Sequence, residues 1–341
     1  MIIRKHSDGY NFVGNPETGI TFRWGKTTKE DPKIAPWPEL ADISISNYCS
    51  KQCNFCYRNS GPSGDFMSIK DYGFVLDNLS DKKWGKVFQV ALGGGEPTEH
   101  PDFIKILEIT RKKGIIPNYT TNGEIVSNEM LEATKKFCGA IAISVNDCPT
   151  SKRELIERCI DKGIKVNIHF ILSSESLNKA VEILMGKFDN NLSGINSVIF
   201  LTYKPFGRAT PEIILKKNKT LDNFLKLIDK PKTKLNFGFD ACFVPILMKY
   251  TSINSMFIDS CECGFFSVYV DEKLNVKPCS FTNNDDFTIN LKEKSFKEIW
   301  QNLYERYRLK SAKTVECQEC RSNKMCRGGC PYFPKINLCQ S

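Results

Sequence analysis

The chain has 341 residues, 41% of them hydrophobic, and a formal net charge of +9. This length allows a sizeable core in one large or two smaller domains, and no apolar run of about 18 residues or signal-peptide core occurs, which argues against a membrane protein and predicts a cytoplasmic one. No basic block or basic-aromatic stripe is present, so nucleic acid is not an expected partner. The positive charge fits a solvated surface, an acidic peptide substrate or an acidic electron-donor protein.

The first forty residues predict a small antiparallel element. The stretch DGYNFVGNPETGITFRWG alternates apolar and polar residues around a turn-rich centre, which is typical of a β-hairpin. It is too short for a separate leader-binding domain, so recognition of a peptide would fall to this hairpin, to other parts of the chain or to another protein.

Strand and helix patterns then alternate about six times. Short β-rich runs occupy 41–47, 86–92, 115–121, 140–146, 164–172 and 196–203. Between them, five segments with apolar residues three and four apart predict helices. Repeated strand-helix units predict a parallel sheet with helices packed outside, and right-handed crossovers curl such a sheet toward a barrel. The expected fold class is therefore α/β.

Two of these strands have one small or polar face. In 140–146, Ser144 and Asn146 lie opposite the aliphatic residues, and in 164–172 His169 lies on the polar side. A filled barrel core would need bulky residues pointing inward. Small and polar residues there predict a cavity for a polar ligand, and His169 is either a cofactor contact or a core histidine.

Three cysteines follow the first predicted strand. Cys49, Cys53 and Cys56 stand beside the aromatic pair Phe55 and Tyr57. Fifteen cysteines in a cytosolic chain favour metal ligation over disulfides. Three thiolates on a cubic iron–sulfur cluster leave one iron for an outside ligand, whereas a zinc site would need a fourth ligand from elsewhere.

The second strand ends in a glycine run, ALGGGEPTEHPDF. The run includes Gly94 and Gly95 and is followed by Glu96 and Pro97. Glycines allow close backbone approach to a ligand, and Glu96 can accept hydrogen bonds from a cationic amine. A glycine run alone is weak evidence for a ligand site. This run is stronger evidence because it follows the cysteine triplet by one β-α unit.

With both motifs in view, the chain resembles the radical S-adenosylmethionine (SAM) enzymes over about residues 40–210. CSKQCNFC matches their CxxxCxΦC motif, whose cysteines hold a 4Fe–4S cluster, and GGEP matches the motif that binds the methionine amino group of SAM. Ser144 and Asn146 match the fourth-strand position that contacts SAM. By the same resemblance, Phe55 and Tyr57 of the cysteine motif are expected to contact SAM. The resemblance implies cleavage of SAM to a 5′-deoxyadenosyl radical, which abstracts a hydrogen atom from the substrate.

The C-terminal part resembles the SPASM extension, which binds two auxiliary 4Fe–4S clusters. CQECRSNKMCRGGC has the Cx2Cx5Cx3C spacing of that extension. Upstream, Leu274 stands five residues before Cys279, where the extension usually has a glycine, so a changed turn is an expectation there. By this resemblance one cluster takes Cys317, Cys320, Cys326 and Cys339. The other takes Cys261, Cys279 and Cys330, with Cys242 favoured over Cys263 as its fourth ligand and an open iron as the third alternative. A double zinc ribbon is the alternative for the whole set.

The remaining cysteines and histidines carry less information. Cys138 and Cys159 lie in helical segments and are expected to be buried as small hydrophobes. Cys148 follows the fourth strand, so it is either a hydrogen donor to a substrate radical or part of a loop. His100 is expected to help start a helix. Lys204 and Arg208 end the sixth strand as substrate anchors or solvated charges.

These resemblances imply an overall organisation and activity. We expect an N-terminal hairpin extension at 1–39, a partial (β/α)6 TIM-like barrel at 40–230 and a small, irregular iron–sulfur domain at 231–341. SAM and three 4Fe–4S clusters are the expected cofactors, and flavodoxin or ferredoxin is the expected electron donor. The expected substrate is a peptide or protein that is crosslinked or oxidised. Epimerisation, a sugar or amino-acid substrate, and a non-catalytic zinc-binding module are the alternatives.

Overall fold

The computed structural model describes residues 3–7, 9–146, 148–282, 285–310, 317, 320, 322 and 326–339. Its strands are β1 (Ile3–Ser7), β2 (Tyr10–Gly14), β3 (Thr21–Trp24), β4 (Leu40–Ser46), β5 (Ser80–Asp81), β6 (Gly85–Lys86), β7 (Gln89–Gly94), β8 (Ile116–Thr121), β9 (Ile141–Val145), β10 (Val166–Leu172), β11 (Ser197–Thr202), β12 (Phe237–Phe239), β13 (Ser267–Val270), β14 (Asn275–Lys277) and β15 (Ile289–Asn290). Its α-helices are α1 (Ile69–Asn78), α2 (Phe103–Lys112), α3 (Asn128–Phe137), α4 (Arg153–Asp161), α5 (Leu177–Leu184), α6 (Lys219–Asp229), α7 (Val244–Tyr250), α8 (Phe296–Glu298) and α9 (Tyr304–Lys310).

The six strands and five helices expected between residues 41 and 203 are present as β4, β7, β8, β9, β10 and β11 and as α1 to α5. Their alternation confirms the α/β class. The chain divides into two compact units, one made of 1–52, 60–141 and 263–310, the other of 53–59, 142–262 and 311–341. The expected domain boundaries after residues 39 and 230 remain predictions.

The first unit contains two main groups of strands. The N-terminal hairpin is confirmed, because β2 and β3 pair antiparallel, and β1 adds a third strand that the sequence did not predict. The other group runs in the order β8, β7, β4, β13, β14 and β15, with parallel pairing from β8 to β13 and antiparallel pairing beyond. A buried cluster that includes Tyr10, Phe12 and Phe88 forms part of this unit's core.

Three helices of this unit, α1, α3 and α8, begin where the sequence supplies a side-chain acceptor. Ser68 and Ser127 accept hydrogen bonds from backbone N–H groups in the first turns of α1 and α3. Such caps satisfy donors that the helix itself leaves free. Ser295 and Glu298 form a capping box at the start of α8.

The second unit contains the strand order β9, β10, β11 and β12, and the pairs β10–β11 and β11–β12 are parallel. Helices α4 to α7 belong to this unit. Its core includes an aromatic series in which Phe200 lies 5.4 Å from Phe239 and 5.5 Å from Phe224 between ring centroids. The predicted alternation of β10 is confirmed, since Ile168 and Phe170 are buried whereas Asn167 and His169 are only partly so.

Within the described part of the chain, none of the helices combines the length and the apolar character that a membrane crossing requires.

Candidate active site and cysteine clusters

The glycine run at the end of β7 packs directly on the segment that leads from β4 to Cys49. Gly95 N–H donates to the Ser46 carbonyl at 2.7 Å, and Glu96 N–H donates to the Tyr48 carbonyl at 2.8 Å. A Cβ on Gly95 would lie 1.9 Å from the Tyr48 carbonyl oxygen. Because Gly95 has no side chain, its backbone can pack against Tyr48, and the two sequence motifs come into contact.

The other two glycines of the run have different surroundings. Gly94 has φ of +111°, and a Cβ there would lie 2.1 Å from the Ser46 carbonyl oxygen. A Cβ on Gly93 would meet no atom within 4 Å. Gly94 is thus fixed by contact with its own chain and by a conformation that favours glycine, while Gly93 borders open space in which a ligand can approach.

Glu96 lies at the centre of a buried hydrogen-bond network and is 2% exposed. Its Oε1 accepts hydrogen bonds from Thr98 N–H, Thr98 Oγ1 and Thr121 Oγ1, and its Oε2 accepts one from Asn122 N–H at 2.7 Å. Burial raises the pKa of this carboxyl group, and the four donors oppose that shift. A carboxylate has about four acceptor positions, so Glu96 can meet the ammonium group of SAM only by sharing one of them.

Cys49 is held in the first unit. Its N–H donates to the Gly61 carbonyl at 3.1 Å. Burial raises the pKa of the Cys49 thiol, while the backbone N–H groups of Lys51 and Gln52 lower it by hydrogen bonding to the sulfur. Backbone donors on sulfur stabilise the thiolate, which is the form that binds metal.

Cys53 and Cys56 belong to the second unit. Cys56 N–H donates to the Cys53 carbonyl at 3.2 Å, and Asn59 N–H donates to the Cys56 carbonyl at 3.3 Å, so the segment forms consecutive tight turns. Both cysteines are partly exposed, and neither is in a disulfide. Phe55 and Tyr57 are half-buried in the same segment, and their predicted SAM contacts remain predictions.

Two buried amide atoms have no hydrogen-bond partner in the described part of the chain: Asn146 Oδ1, just after β9, and Asn122 Nδ2, just after β8. An unpaired buried polar atom is costly, so each is a candidate for binding a ligand. Asn146 was predicted as a SAM contact together with Ser144, which is half-buried on β9. The sequence analysis missed Asn122, although its position at a strand end was a usable signal.

His169 on β10 is half-buried, and burial lowers its pKa to about 4, against an opposing effect of the Asp240 carboxylate. The imidazole is therefore neutral at pH 7 and offers one donor and one acceptor nitrogen.

Lys204, after β11, is buried as an ion pair rather than solvated. Its Nζ donates to Asp240 Oδ2 at 2.9 Å and to the Thr202 carbonyl at 3.1 Å. Thr202 Oγ1 donates to Asp240 Oδ1 at 2.6 Å. The solvated-charge interpretation of Lys204 is wrong, because the residue is 8% exposed and its ammonium is paired with Asp240.

Cys242 and Cys330 lie against each other. The Cys242 thiol is hydrogen-bonded to the Cys330 sulfur, which raises the pKa of Cys242 and lowers that of Cys330 to about 7. Backbone N–H groups of Phe333 and Tyr332 also lower the pKa of Cys330. Two adjacent sulfurs, one supported by three donors, fit two thiolate ligands of one metal centre.

The four cysteines predicted for the other auxiliary cluster also lie close together in the second unit. Burial raises the pKa of Cys326 and Cys339; the nearby Cys317 adds to both shifts, and Cys320 adds to that of Cys339. The N–H groups of Gly328 and Gly329 donate to the Cys326 sulfur. Mutual repulsion of four thiolates is relieved when a cationic centre binds them.

Cys261 and Cys279 are described in separate units. The Cys261 carbonyl accepts a hydrogen bond from Arg327 Nη1 at 3.3 Å. Cys279 Sγ accepts one from Phe281 N–H at 3.5 Å. Cys263, in the first unit, forms an isolated bridge with Ser267.

Leu274 occupies the left-handed backbone region with φ of +69°. Its N–H donates to the Asp271 carbonyl at 2.9 Å, which closes the turn between β13 and β14. The left-handed conformation that glycine adopts most easily is therefore present in spite of the leucine.

The remaining residues have structural surroundings. Cys159 is buried, as expected for a small hydrophobic residue, whereas Cys138 is half-buried; burial raises the pKa of both thiols. His100 accepts a hydrogen bond at Nδ1 from Asp102 N–H at 3.0 Å and contacts the Met67 carbonyl through Nε2, so its predicted structural role is confirmed. Cys148 is half-buried, with its Sγ 3.1 Å from Thr150 Oγ1.

The donor set fits iron–sulfur clusters. None of the fifteen cysteines, all at described positions, is in a disulfide. Several of those predicted as ligands receive backbone N–H groups at sulfur, as cluster ligands do. In the ranges that the structure describes, no three His, Cys, Asp or Glu side chains stand at the spacing of a mononuclear site. Cluster thiolates bind different irons and so stand further apart than the ligands of one ion.

Comparison with known proteins gives the class. Residues 43–185 match the Radical SAM superfamily. The chain aligns along 99% of its length with 97% of Streptococcus suis SuiB bound to the precursor peptide SuiA, with a TM-score of 0.70 and 17% identity. This likeness confirms the α/β partial-barrel fold. Residues 43–185 are a radical SAM domain, which confirms the resemblance over that part of the chain.

Two relatives are similar to the chain in sequence. The chain is 24% identical over 214 residues to the tungsten-containing aldehyde ferredoxin oxidoreductase cofactor-modifying protein of Pyrococcus furiosus, a match that covers 61% of this chain and 51% of that protein. It is 22% identical over 330 residues to the cysteine-type anaerobic sulfatase-maturating enzyme of Clostridium perfringens, which covers 84% and 86% of the two chains. The chain thus spans about half of the first relative and most of the second.

Proposed function

We propose that the protein is a radical SAM enzyme that modifies a peptide or protein. The observation that carries this proposal is the direct packing of the glycine run on the segment before Cys49, through Gly95 to Ser46 and Glu96 to Tyr48. This packing supports the proposal, because Tyr48 directly precedes Cys49, a predicted cluster ligand, and accepts a hydrogen bond from the predicted SAM-binding loop. When bound, SAM and the reduced cluster supply a radical that abstracts a hydrogen atom.

The residues of the chain supply binding and orientation. Gly93 borders open space, and Asn122, whose N–H donates to Glu96, has a buried Nδ2 without a partner among the described residues. In the other unit, Asn146 Oδ1 is likewise buried without a partner there. Amide groups of this kind suit hydroxyl and carboxylate groups of SAM.

A peptide substrate is supported by two similarities. SuiB binds a precursor peptide, and the Clostridium relative is a sulfatase-maturating enzyme. The eight cysteines predicted for auxiliary clusters support a reaction that removes electrons from the substrate, such as crosslinking or oxidation. The net charge of +9 favours an acidic peptide and an acidic donor such as flavodoxin or ferredoxin. The cofactor-modifying relative supports a small-molecule substrate as the second candidate.

The test begins with anaerobic purification and reconstitution. We expect a brown protein with about twelve irons that forms 5′-deoxyadenosine from SAM when reduced with dithionite. A colourless zinc protein that leaves SAM intact would contradict the proposal. Pools of acidic and basic synthetic peptides are then added, and the acidic pool is expected to accelerate 5′-deoxyadenosine release. Acceleration by neither pool would contradict the peptide assignment.

A further inference from the structure

The segment after β11 is seated on the loop that carries Cys53 and Cys56. Arg208 N–H donates to the Cys56 carbonyl at 3.0 Å, and Arg208 Nε donates to the Cys53 carbonyl at 2.9 Å. A single residue therefore binds the carbonyl groups of both cysteines. All of these residues belong to the second unit.

The neighbouring glycine makes this contact possible. Gly207 has φ of +67°, and a Cβ there would lie 2.5 Å from the Tyr57 carbonyl oxygen and 2.6 Å from that of Cys56. Backbone contact at this distance leaves no space for a side chain. The fit is consequently specific to the sequence Gly207-Arg208.

One nitrogen of the Arg208 guanidinium group has N–H groups available for a further hydrogen bond. Arg208 Nη2 is buried and has no hydrogen-bond partner among the described residues. A buried, charged donor without an acceptor is costly, and the rigid fork of arginine fixes where this donor lies relative to Nε. Because Nε is bound at the Cys53 carbonyl, the unused N–H groups stand within one guanidinium width of the cysteine loop.

We propose that Arg208 is a positioning residue for the radical cluster and that its free N–H groups donate to the anionic centre held by Cys53 and Cys56. The inference rests on the proposed function. The two carbonyl contacts fix the loop in the shape that presents its thiolates. The cationic charge next to the cluster favours the reduced state, since reduction adds a negative charge.

The test compares Arg208→Met and Arg208→Lys with wild type. Lys216→Met serves as the matched control, because it removes one exposed positive charge from the same unit. Amide hydrogen exchange of 53–59 is measured in the anaerobic full-length protein, together with the midpoint potential of the cluster whose EPR signal SAM perturbs. Wild-type iron content and 5′-deoxyadenosine formation are measured first, so that failure of the proposed function is recognised separately.

We expect faster exchange at 53–59 in both Arg208 variants and not in the control. In Arg208→Met, the ratio of reduced to oxidised cluster at fixed potential should fall about tenfold, equivalent to about 59 mV for one electron. Arg208→Lys should retain most of the potential because it keeps the charge. Equal midpoint potentials of the cluster in Arg208→Met and Arg208→Lys would overturn the proposal. Amide hydrogen exchange at 53–59 as slow as in wild type would overturn it too.

Two further arms complete the design. Measurement without SAM identifies the acceptor: a potential difference that arises only with SAM present would assign the N–H groups to the SAM carboxylate and overturn their assignment to the cluster. If Arg208→Met does not fold, Gly207→Ala keeps the charge and displaces the segment. This variant should accelerate hydrogen exchange at 53–59. Unchanged exchange would overturn the proposal that the Gly207-Arg208 segment holds the cysteine loop.

Discussion

Thr121 Oγ1 donates a hydrogen bond to Glu96 Oε1 at 2.7 Å, and this bond joins the end of β8 to the loop after β7. With the bond from Asn122 N–H at 2.7 Å, it ties two neighbouring strand ends to one buried carboxylate. Glu96 therefore organises the edge of the sheet in addition to its predicted contact with the SAM ammonium. The two roles differ in their consequences for stability.

Glu96→Ala should weaken both folding and SAM binding. Removing the carboxylate leaves buried donors without acceptors, which we expect to lower the free energy of unfolding by about 2–4 kcal/mol. Loss of a charge-assisted bond to the ammonium should weaken SAM binding by roughly ten- to a hundred-fold. Chemical denaturation and equilibrium binding measure the two effects, with exposed Glu129→Ala as the control. Unaltered SAM affinity together with lower stability would restrict Glu96 to the organising role.

The strands and the cysteine motifs were predictable because their signals are local. Period-two patterns predicted β4, β7, β8, β9, β10 and β11, and the triplet from Cys49 to Cys56 is contained in eight residues. The partners of Glu96 were not predictable in this way. Thr121 lies 25 residues further along the chain and is brought to Glu96 only by the parallel pairing of β7 with β8.

Other features could not be predicted, because the residue types that form them give no sign of their conformation or burial. The left-handed backbone at Leu274 follows from the turn that Asp271 closes, and leucine gives no sign of it. Burial of Lys204 depends on Asp240, which is 36 residues away. Such long-range pairings are set by the sheet, so a single sequence predicts the elements better than the contacts of their ends.

The triplet variant Cys49→Ala, Cys53→Ala, Cys56→Ala should lose one cluster and all SAM cleavage. We expect about four fewer irons per chain and no 5′-deoxyadenosine, because these three thiolates are the predicted protein ligands of the radical cluster. Iron assay and chromatography of the reduced reaction provide the measurement. The remaining irons, in the auxiliary clusters, serve as the internal control for folding. Nucleoside formation at the wild-type rate would refute the assignment of this motif.

Cys242 and Cys263 are distinguished by their neighbours. Cys242 is hydrogen-bonded to Cys330, a predicted cluster ligand, and Cys263 is bridged to Ser267. We therefore expect Cys242→Ser to lose or convert one auxiliary cluster, seen as lower iron content and a changed EPR signal. Cys263→Ser is the matched control and should leave both unchanged. The reverse result would assign the fourth ligand to Cys263, and no change in either variant would favour an open iron.

At position 274, Leu274→Gly should be more stable than Leu274→Ala, which reverses the usual order of stability for glycine and alanine variants. The left-handed conformation costs a non-glycine residue about 1–2 kcal/mol, while the buried leucine side chain contributes about 1.5–3 kcal/mol. Leu274→Gly relieves the first and loses the second, so a net destabilisation of about 1 kcal/mol is expected. Leu274→Ala keeps the strain and should be less stable than the glycine variant. Denaturant midpoints compare them, and a more stable alanine variant would show that the turn is unstrained.

Cys148 tests the type of reaction. If the enzyme epimerises a peptide residue, a thiol must return a hydrogen atom to the carbon radical, and Cys148, half-buried after β9, is the candidate. If it crosslinks or oxidises, the electron leaves through an auxiliary cluster and the thiol is not needed. We expect Cys148→Ala to retain product formation, because the Cys148 Sγ faces Thr150 Oγ1 at 3.1 Å and only its position supports a donor role. Mass spectrometry of the product formed in heavy water provides the measurement, with Cys159→Ala as the control for a buried thiol. Solvent deuterium in the wild-type product, together with SAM consumption but no product in Cys148→Ala, would instead establish epimerisation.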